Sequence, residues 1–251
     1  MLNLLKADFF RLNRSKSFYI CLGIIALFVA YVILDFNSSA HLKEQLSQST
    51  FHWIYMLFEE KAFLPYFIPA LQAIFITMLI TSEYSTGTIK DAVSLGFSRT
   101  SIYISKLITV AVGSIILMLV AVLFTVITSI FVFGIYGSFT WYDFVLLIRM
   151  LIIQALLYTA YGSIFLMLTI FIKNIGGTMA FNILFSLVLG SLSSVVGNSY
   201  LGRMLLLMNF SPTAVPYPKT VDLNIAIVVG LSYLLLCSGI GGFTFKKQDI
   251  K

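Results

Sequence analysis

Six predominantly apolar stretches, at 17–34, 63–81, 107–136, 144–172, 175–196 and 223–243, constrain this chain more than any other feature. A helix crossing a bilayer needs about 20 mostly apolar residues, and each stretch is close to that length or longer. Lipid offers no hydrogen bonds to a backbone, so only helices or closed barrels span it. Barrel strands are short and alternate apolar with polar side chains. These stretches are long and do not alternate, so the sequence predicts an all-α membrane protein with six transmembrane helices in a single transmembrane domain, 1–251. Composition agrees: 59% of the residues are hydrophobic and 10% charged, against about 25% charged in water-soluble domains. A cytoplasmic enzyme, a nucleic-acid binder and a disulfide-stapled secreted domain are all excluded. The net charge of +6 is a topology signal, because the basic residues flank apolar runs.

With both termini on the cytoplasmic side, eleven of the 16 Lys and Arg residues fall inside. The reverse orientation would export those eleven, so a multi-pass protein of the cell membrane with both termini inside is expected. Ser38 and Ala40 after the first stretch resemble a signal-peptide cleavage site. The apolar region, however, exceeds the usual span of about 7–15 residues, which favours a retained anchor. Before it, Leu2, Leu5, Phe9 and Leu12 recur at steps of three and four within 1–15. That predicts an amphipathic helix lying in the inner interface. Arg11, Arg14 and, further along, Lys106 are placed at headgroup level as anchors to membrane lipid. The segment 35–62 reads as a polar outer loop. In 198–222, Leu201, Met204, Leu205 and Met208 keep helical spacing before Pro212, Pro216 and Pro218, which predicts a helical segment that re-enters the membrane between the last two spans. Small residues repeat every fourth position, Ser186, Gly190 and Ser194 in the fifth span and, with Leu234 interrupting, Ala226, Gly230, Ser238 and Gly242 in the sixth. Such stripes let helix backbones approach closely.

Catalytic chemistry is sparse. The sequence holds no phosphate-cradling Walker A pattern and no H-E-x-x-H pair. Glu59-Glu60 resembles the paired glutamates of intramembrane prenyl-protein proteases, but the arginine and membrane-depth histidines of those enzymes are missing. His41 and His52 stand eleven apart in a polar loop, and Cys21 and Cys237 lie within apolar runs with no metal spacing around them. No metal is expected. Ionisable groups deep in a membrane mark ion or proton paths. Here Asp35, Asp143, Arg149 and Lys173 sit near span ends, and the interiors carry neutral Gln72, Gln154 and Asn182. Gln72 and Asn182 either face a substrate path or bond between helices. A proton-coupled transporter is thereby disfavoured. If the protein moves cargo, the energy comes from elsewhere.

The segment 82–106, S-E-Y-S-T-G-T-I-K-D-A-V-S-L-G-F-S-R-T-S-I-Y-I-S-K, is too long and too patterned for a plain link. Ile89, Ala92 and Val93 form one apolar face of a short helix, with Lys90 and Asp91 on another. Gly96-Phe97 ends it, and Ser98 is placed to cap the next helix. A short helix tied to two spans is a lever that a cytosolic partner could grip. In order and spacing, Glu83, Gly87, Thr88, Ser98, Arg99 and Lys106 resemble the coupling region of ATP-binding-cassette (ABC) exporter permeases of the type-2 class, with Gly96 where that family often carries proline. The opening L-L-K-A-D-F-F-R-L-N-R-S-K-S-F-Y is similar to small permeases of Gram-positive bacteria that export, or give immunity to, antimicrobial and amphipathic peptides such as lantibiotics and phenol-soluble modulins.

The resemblance implies a transmembrane subunit of an ATP-driven exporter of hydrophobic or amphipathic cargo, with a second, identical or sister permease beside it. ATP and Mg²⁺ would sit on a separate cytoplasmic ATPase, leaving this chain without a cofactor and without enzyme activity. Glu83, Gly87, Thr88, Ile89, Lys90, Val93 and Arg99 are the residues expected to meet the ATPase. The competing reading is a membrane immunity or sensor protein that binds a membrane-active peptide without moving it.

Overall fold

A backbone surrounded by lipid can satisfy its polar groups only through itself, and the computed structural model is helical accordingly. It describes residues 1–38, 52–58, 64–134, 140–196, 199–215 and 217–248. His41, Glu59, Glu60 and Pro216 lie outside the described residues. Among the described residues there is no strand, and six helices are long and apolar enough to cross a membrane. The spans are Lys16–Ser38, Leu64–Ser85, Arg99–Phe133, Trp141–Ile172, Ile175–Val196 and Thr220–Lys247. An N-terminal helix, Leu2–Arg14, precedes them, and a loop helix, Thr88–Ser94, separates the second and third.

Local signals set the boundaries. The third span opens where Ser98 Oγ accepts the Ser101 amide at 3.1 Å, as the sequence predicts. It closes at Gly134, whose φ of 81° suits glycine. Its 35 residues measure about 52 Å at 1.5 Å per residue, against a hydrocarbon core of about 30 Å. The helix is therefore longer than the hydrocarbon core is thick. The fourth span starts in a capping box between Thr140 and Asp143 and ends at Lys173 in the left-handed region. Only Lys173 and Asn174 separate it from the fifth.

The fourth span is the hub. It packs most extensively against the sixth and also meets the second, third and fifth. From 160 to 166 every residue is buried, so this stretch is surrounded on all sides. Close approach depends on small residues. A Cβ on Gly162 would lie 2.9 Å from both Ser114 Oγ and Val110 Cγ1 of the third span. Gly230 and Gly242 of the predicted stripe meet Leu156 and Tyr103, and Gly190 meets Tyr66. The second span is 72% buried and the fifth only 11%, which leaves the fifth offering a broad apolar surface to its surroundings.

Two outer segments depart from the sequence expectation. Within the supposedly polar 35–62, His52–Leu57 is a short helix with Trp53, Ile54 and Phe58 buried. Trp53 stacks on Phe133 at 4.4 Å, because the local aromatic and aliphatic residues find the end of the third span. Between the last two spans, a re-entrant helical segment was expected. The chain forms three four-residue pieces there, Tyr200–Arg203, a 3₁₀ turn at Leu206–Asn209 and Phe210–Thr213. The break at Met204 changes the register, so Leu206, Leu207 and Phe210 are buried while Met204 is exposed. The segment still runs inward, since Phe210 reaches Tyr158, near the middle of the fourth span.

Gly162→Leu should push the third and fourth spans apart, at a cost of about 1–3 kcal/mol from overpacking. Gly239, which meets nothing within 4 Å, tolerates the same substitution. Unfolding midpoints in detergent distinguish the two; equal midpoints would remove Gly162 as a packing contact.

Candidate functional site

Three helices converge where the loop helix joins the bundle. Glu83 stands in the last turn of the second span, where the helix dipole disfavours a carboxylate. Lys106 lies two turns into the third span, and Asp8 in the middle of the N-terminal helix. All three are buried, at 4%, 7% and 4% exposure respectively. The Lys106 ammonium sits between the carboxylates, 2.6 Å from Glu83 Oε2 and in direct contact with Asp8 Oδ1. The Ser105 hydroxyl donates to the other Asp8 oxygen. Arg11, half-exposed, adds a second cation 3.4 Å from Glu83 Oε1. Two acids and two bases cancel, which is the condition under which charge survives burial.

Lys106 is thus not at a lipid phosphate, where the sequence placed it. Its partners lie 98 and 23 residues away in the chain and outcompete the headgroup. Arg14 is exposed, over the Phe10 ring at 5.3 Å. The inward face of the N-terminal helix is led by Asp8 and Leu12, while Leu2 and Phe9 are exposed on the outer side.

The loop helix follows as a rigid appendage. Gly87 takes φ 74°, turning the chain out of the second span, and Gly96 takes φ 85° at the far end. Thr88 Oγ1 donates to the Glu83 carbonyl at 3.3 Å. Ile89 is buried, and Ala92 and Val93 pack against the core. Lys90 and Asp91 face away, and Leu95 is 76% exposed. A cavity of about 310 Å³ separates this helix from the N-terminal one, lined by Leu4, Ala7, Asp8, Ile89 and Leu95 among others.

Arg99, one of the residues expected to meet the ATPase, also caps the sixth span: its guanidinium donates to the Lys246 carbonyl at 2.9 Å and to that of Gln248. Gln248 donates in turn to the Ile170 carbonyl at 2.8 Å and accepts from the Tyr84 hydroxyl at 3.3 Å. The ends of the second, third, fourth and sixth spans are therefore tied at one level. Gln72 and Asn182 are fully buried between helices. Gln72 donates to the Tyr158 carbonyl at 3.3 Å and Asn182 to Thr77 Oγ1 at 3.0 Å. Asp8, Ser105, Tyr84 and Gln248 escaped the sequence reading. Only Asp8 left a trace, as the sole acid before Asp35.

Residues 4–196 match the family described as ABC-2 family transporter protein. No curated protein matches the chain.

Lys106→Met would leave two carboxylates buried without their shared cation, costing about 3–5 kcal/mol. Arg11→Met, at a half-exposed position, is expected to cost under about 1 kcal/mol. Thermal unfolding of the two variants in detergent should differ accordingly, and equal losses would deny Lys106 its central place.

Proposed function

The chain belongs to the ABC-2 family of transporter proteins, whose members are transmembrane components that partner an ABC ATPase, and from that premise we propose that it is the membrane half of an ATP-driven exporter of hydrophobic or amphipathic cargo, peptides above all. The loop helix Thr88–Ser94 is then the coupling helix, and its end of the bundle faces the cytoplasm together with both termini. A second permease, identical or a sister chain, covers part of the apolar surface offered by the fifth span.

The observation that carries this reading is the way the coupling helix is held. Its buried side rests on the bundle through Ile89, and the turn before it is anchored by Glu83 within the Asp8–Arg11–Lys106 cluster. Lys90, Asp91, Ser94 and Leu95 are left on the outside. An exposed leucine at the end of the same short helix as an exposed lysine, aspartate and serine has the chemistry of an interface anchor with a polar rim. A push there is transmitted to the second and third spans, because breaking the buried charges costs more than moving the helices together. ATP favours one arrangement of the ATPases, cargo binds the arrangements unequally, and linkage between the two drives transport. Phosphoryl transfer stays on the partner. At mid-depth the buried polar groups Gln72, Gln154 and Asn182 are neutral and the rest is mostly apolar, which suits cargo carrying little charge.

Leu95→Asp alters only an exposed side chain. It should weaken ATPase binding about tenfold, as loss of one apolar anchor does, and reduce export in parallel. Deleting 86–95 should abolish export while the spans still insert. Co-purification with its partner ABC ATPase, and export from vesicles, are the measurements. Cargo-dependent export by the deletion variant would overturn the proposal, and peptide binding without any ATPase requirement would favour an immunity protein.

A further inference from the structure

Phe210 sits at the innermost point of the broken outer segment and is fully buried. Its ring lies 4.6 Å from that of Tyr158 and 5.9 Å from that of Tyr161. Gln154 Nε2 donates to the Phe210 carbonyl at 2.9 Å and to Thr213 Oγ1 at 3.3 Å. The Phe210 amide is turned back into its own 3₁₀ turn, onto the Leu207 carbonyl.

The three residues that meet Phe210 each carry a buried polar atom with no hydrogen-bond partner among the described residues: Gln154 Oε1, Tyr158 Oη and Tyr161 Oη. Gln154, Tyr158 and Tyr161 are at most 1% exposed. Folded proteins pair nearly all such groups, and an unpaired one in an apolar surrounding is costly. Three of them beside one aromatic residue describe a site that is only half used.

Their chemistry states what the other half is. A glutamine amide can donate to a carbonyl and accept from an N–H at once, and a peptide unit offers both. Phe210 supplies the carbonyl only, because its N–H is engaged elsewhere. Two tyrosine rings make an aromatic slot, and their hydroxyls remain to meet further carbonyls. We infer that the Phe210 slot is a binding site for an aromatic or large aliphatic residue in peptide linkage, filled in this structure by the protein's own outer segment, which incoming cargo displaces. The inference rests on the peptide-exporter reading and assigns that cargo a specific place. The segment is suited to displacement, since it consists of four-residue pieces with little cooperativity of their own.

The test uses the permease with its ATPase in lipid nanodiscs. Phe210→Ala opens the slot, and N-acetyl-phenylalanine methylamide is the probe. It should raise the unfolding midpoint of that variant by about 2–4 °C at saturation and act on the unaltered protein only at higher concentration, where it must first displace Phe210. Adding Gln154→Leu to Phe210→Ala should weaken the probe about tenfold. Ethylbenzene, which has the ring but no amide, should bind both variants equally. If Phe210→Ala does not assemble, Phe210→Leu is measured in the same way. Absence of probe binding, or binding unchanged by Gln154→Leu, overturns the inference. ATPase co-purification and hydrolysis are read on the same samples. Their loss with probe binding intact defeats the exporter reading alone, and the reverse defeats the slot alone.

Discussion

A charge removed from water must find an opposite charge, and in this protein that requirement decides which helices belong together. Asp8, Glu83 and Lys106 come from three helices, and each would be untenable alone at its depth. Brought together with Arg11 they are neutral as a group. The cluster also explains an otherwise unfavourable placement, a glutamate in the last turn of a helix, where the dipole opposes it. The N-terminal helix is held to the bundle by this cluster more than by its apolar face, since Leu2 and Phe9 remain exposed.

The same end of the molecule carries a second set of ties, built from caps instead of ion pairs. Arg99 closes the sixth span, and Gln248 reaches the second and the fourth. Arg99 and Lys106 lie seven residues apart on one helix, so the third span takes part in both sets. Its 35-residue length makes that possible, because the first turns project beyond the hydrocarbon core and can collect partners from several directions. The loop helix grows out of this braced region, so force applied to it reaches four spans.

How much of this was legible beforehand follows from the range of the signals. Six spans, the N-terminal helix, the loop helix and the Ser98 cap were all readable, because hydropathy, helical period and capping are local in sequence. Glu83 could be singled out from its motif, but its partner could not, since Asp8 lies 75 positions away and nothing in one sequence links the two. Lys106 looked like a lipid anchor because a lysine at a span end usually is one. The carbonyls that Arg99 caps could not be foreseen for a related reason: they belong to the far end of the chain. In the outer segment, helical spacing of Met204 and Leu205 predicted the wrong buried face. Packing against Tyr158 and Tyr161 overrode the local period and chose Leu206, Leu207 and Phe210. The burial of Trp53 was hidden by the polar composition around it.

The polar groups are also sorted by kind along the spans, and that sorting bears on how the molecule moves. Buried ion pairs gather at the loop-helix end, where separating one costs about 3–5 kcal/mol. Toward the middle, the contacts joining helices are neutral: Gln72 to a carbonyl, Asn182 to Thr77, Gln154 to Phe210. Inter-helix hydrogen bonds of that kind in membrane proteins are worth about 0.6 kcal/mol on average and rarely exceed 2. A bundle strained from the loop-helix side therefore keeps that end intact and yields first at mid-depth and in the outer segment. In an exporter driven from the loop helix, the stiff end would transmit and the weak end would open, a difference that follows from which side chains carry full charges.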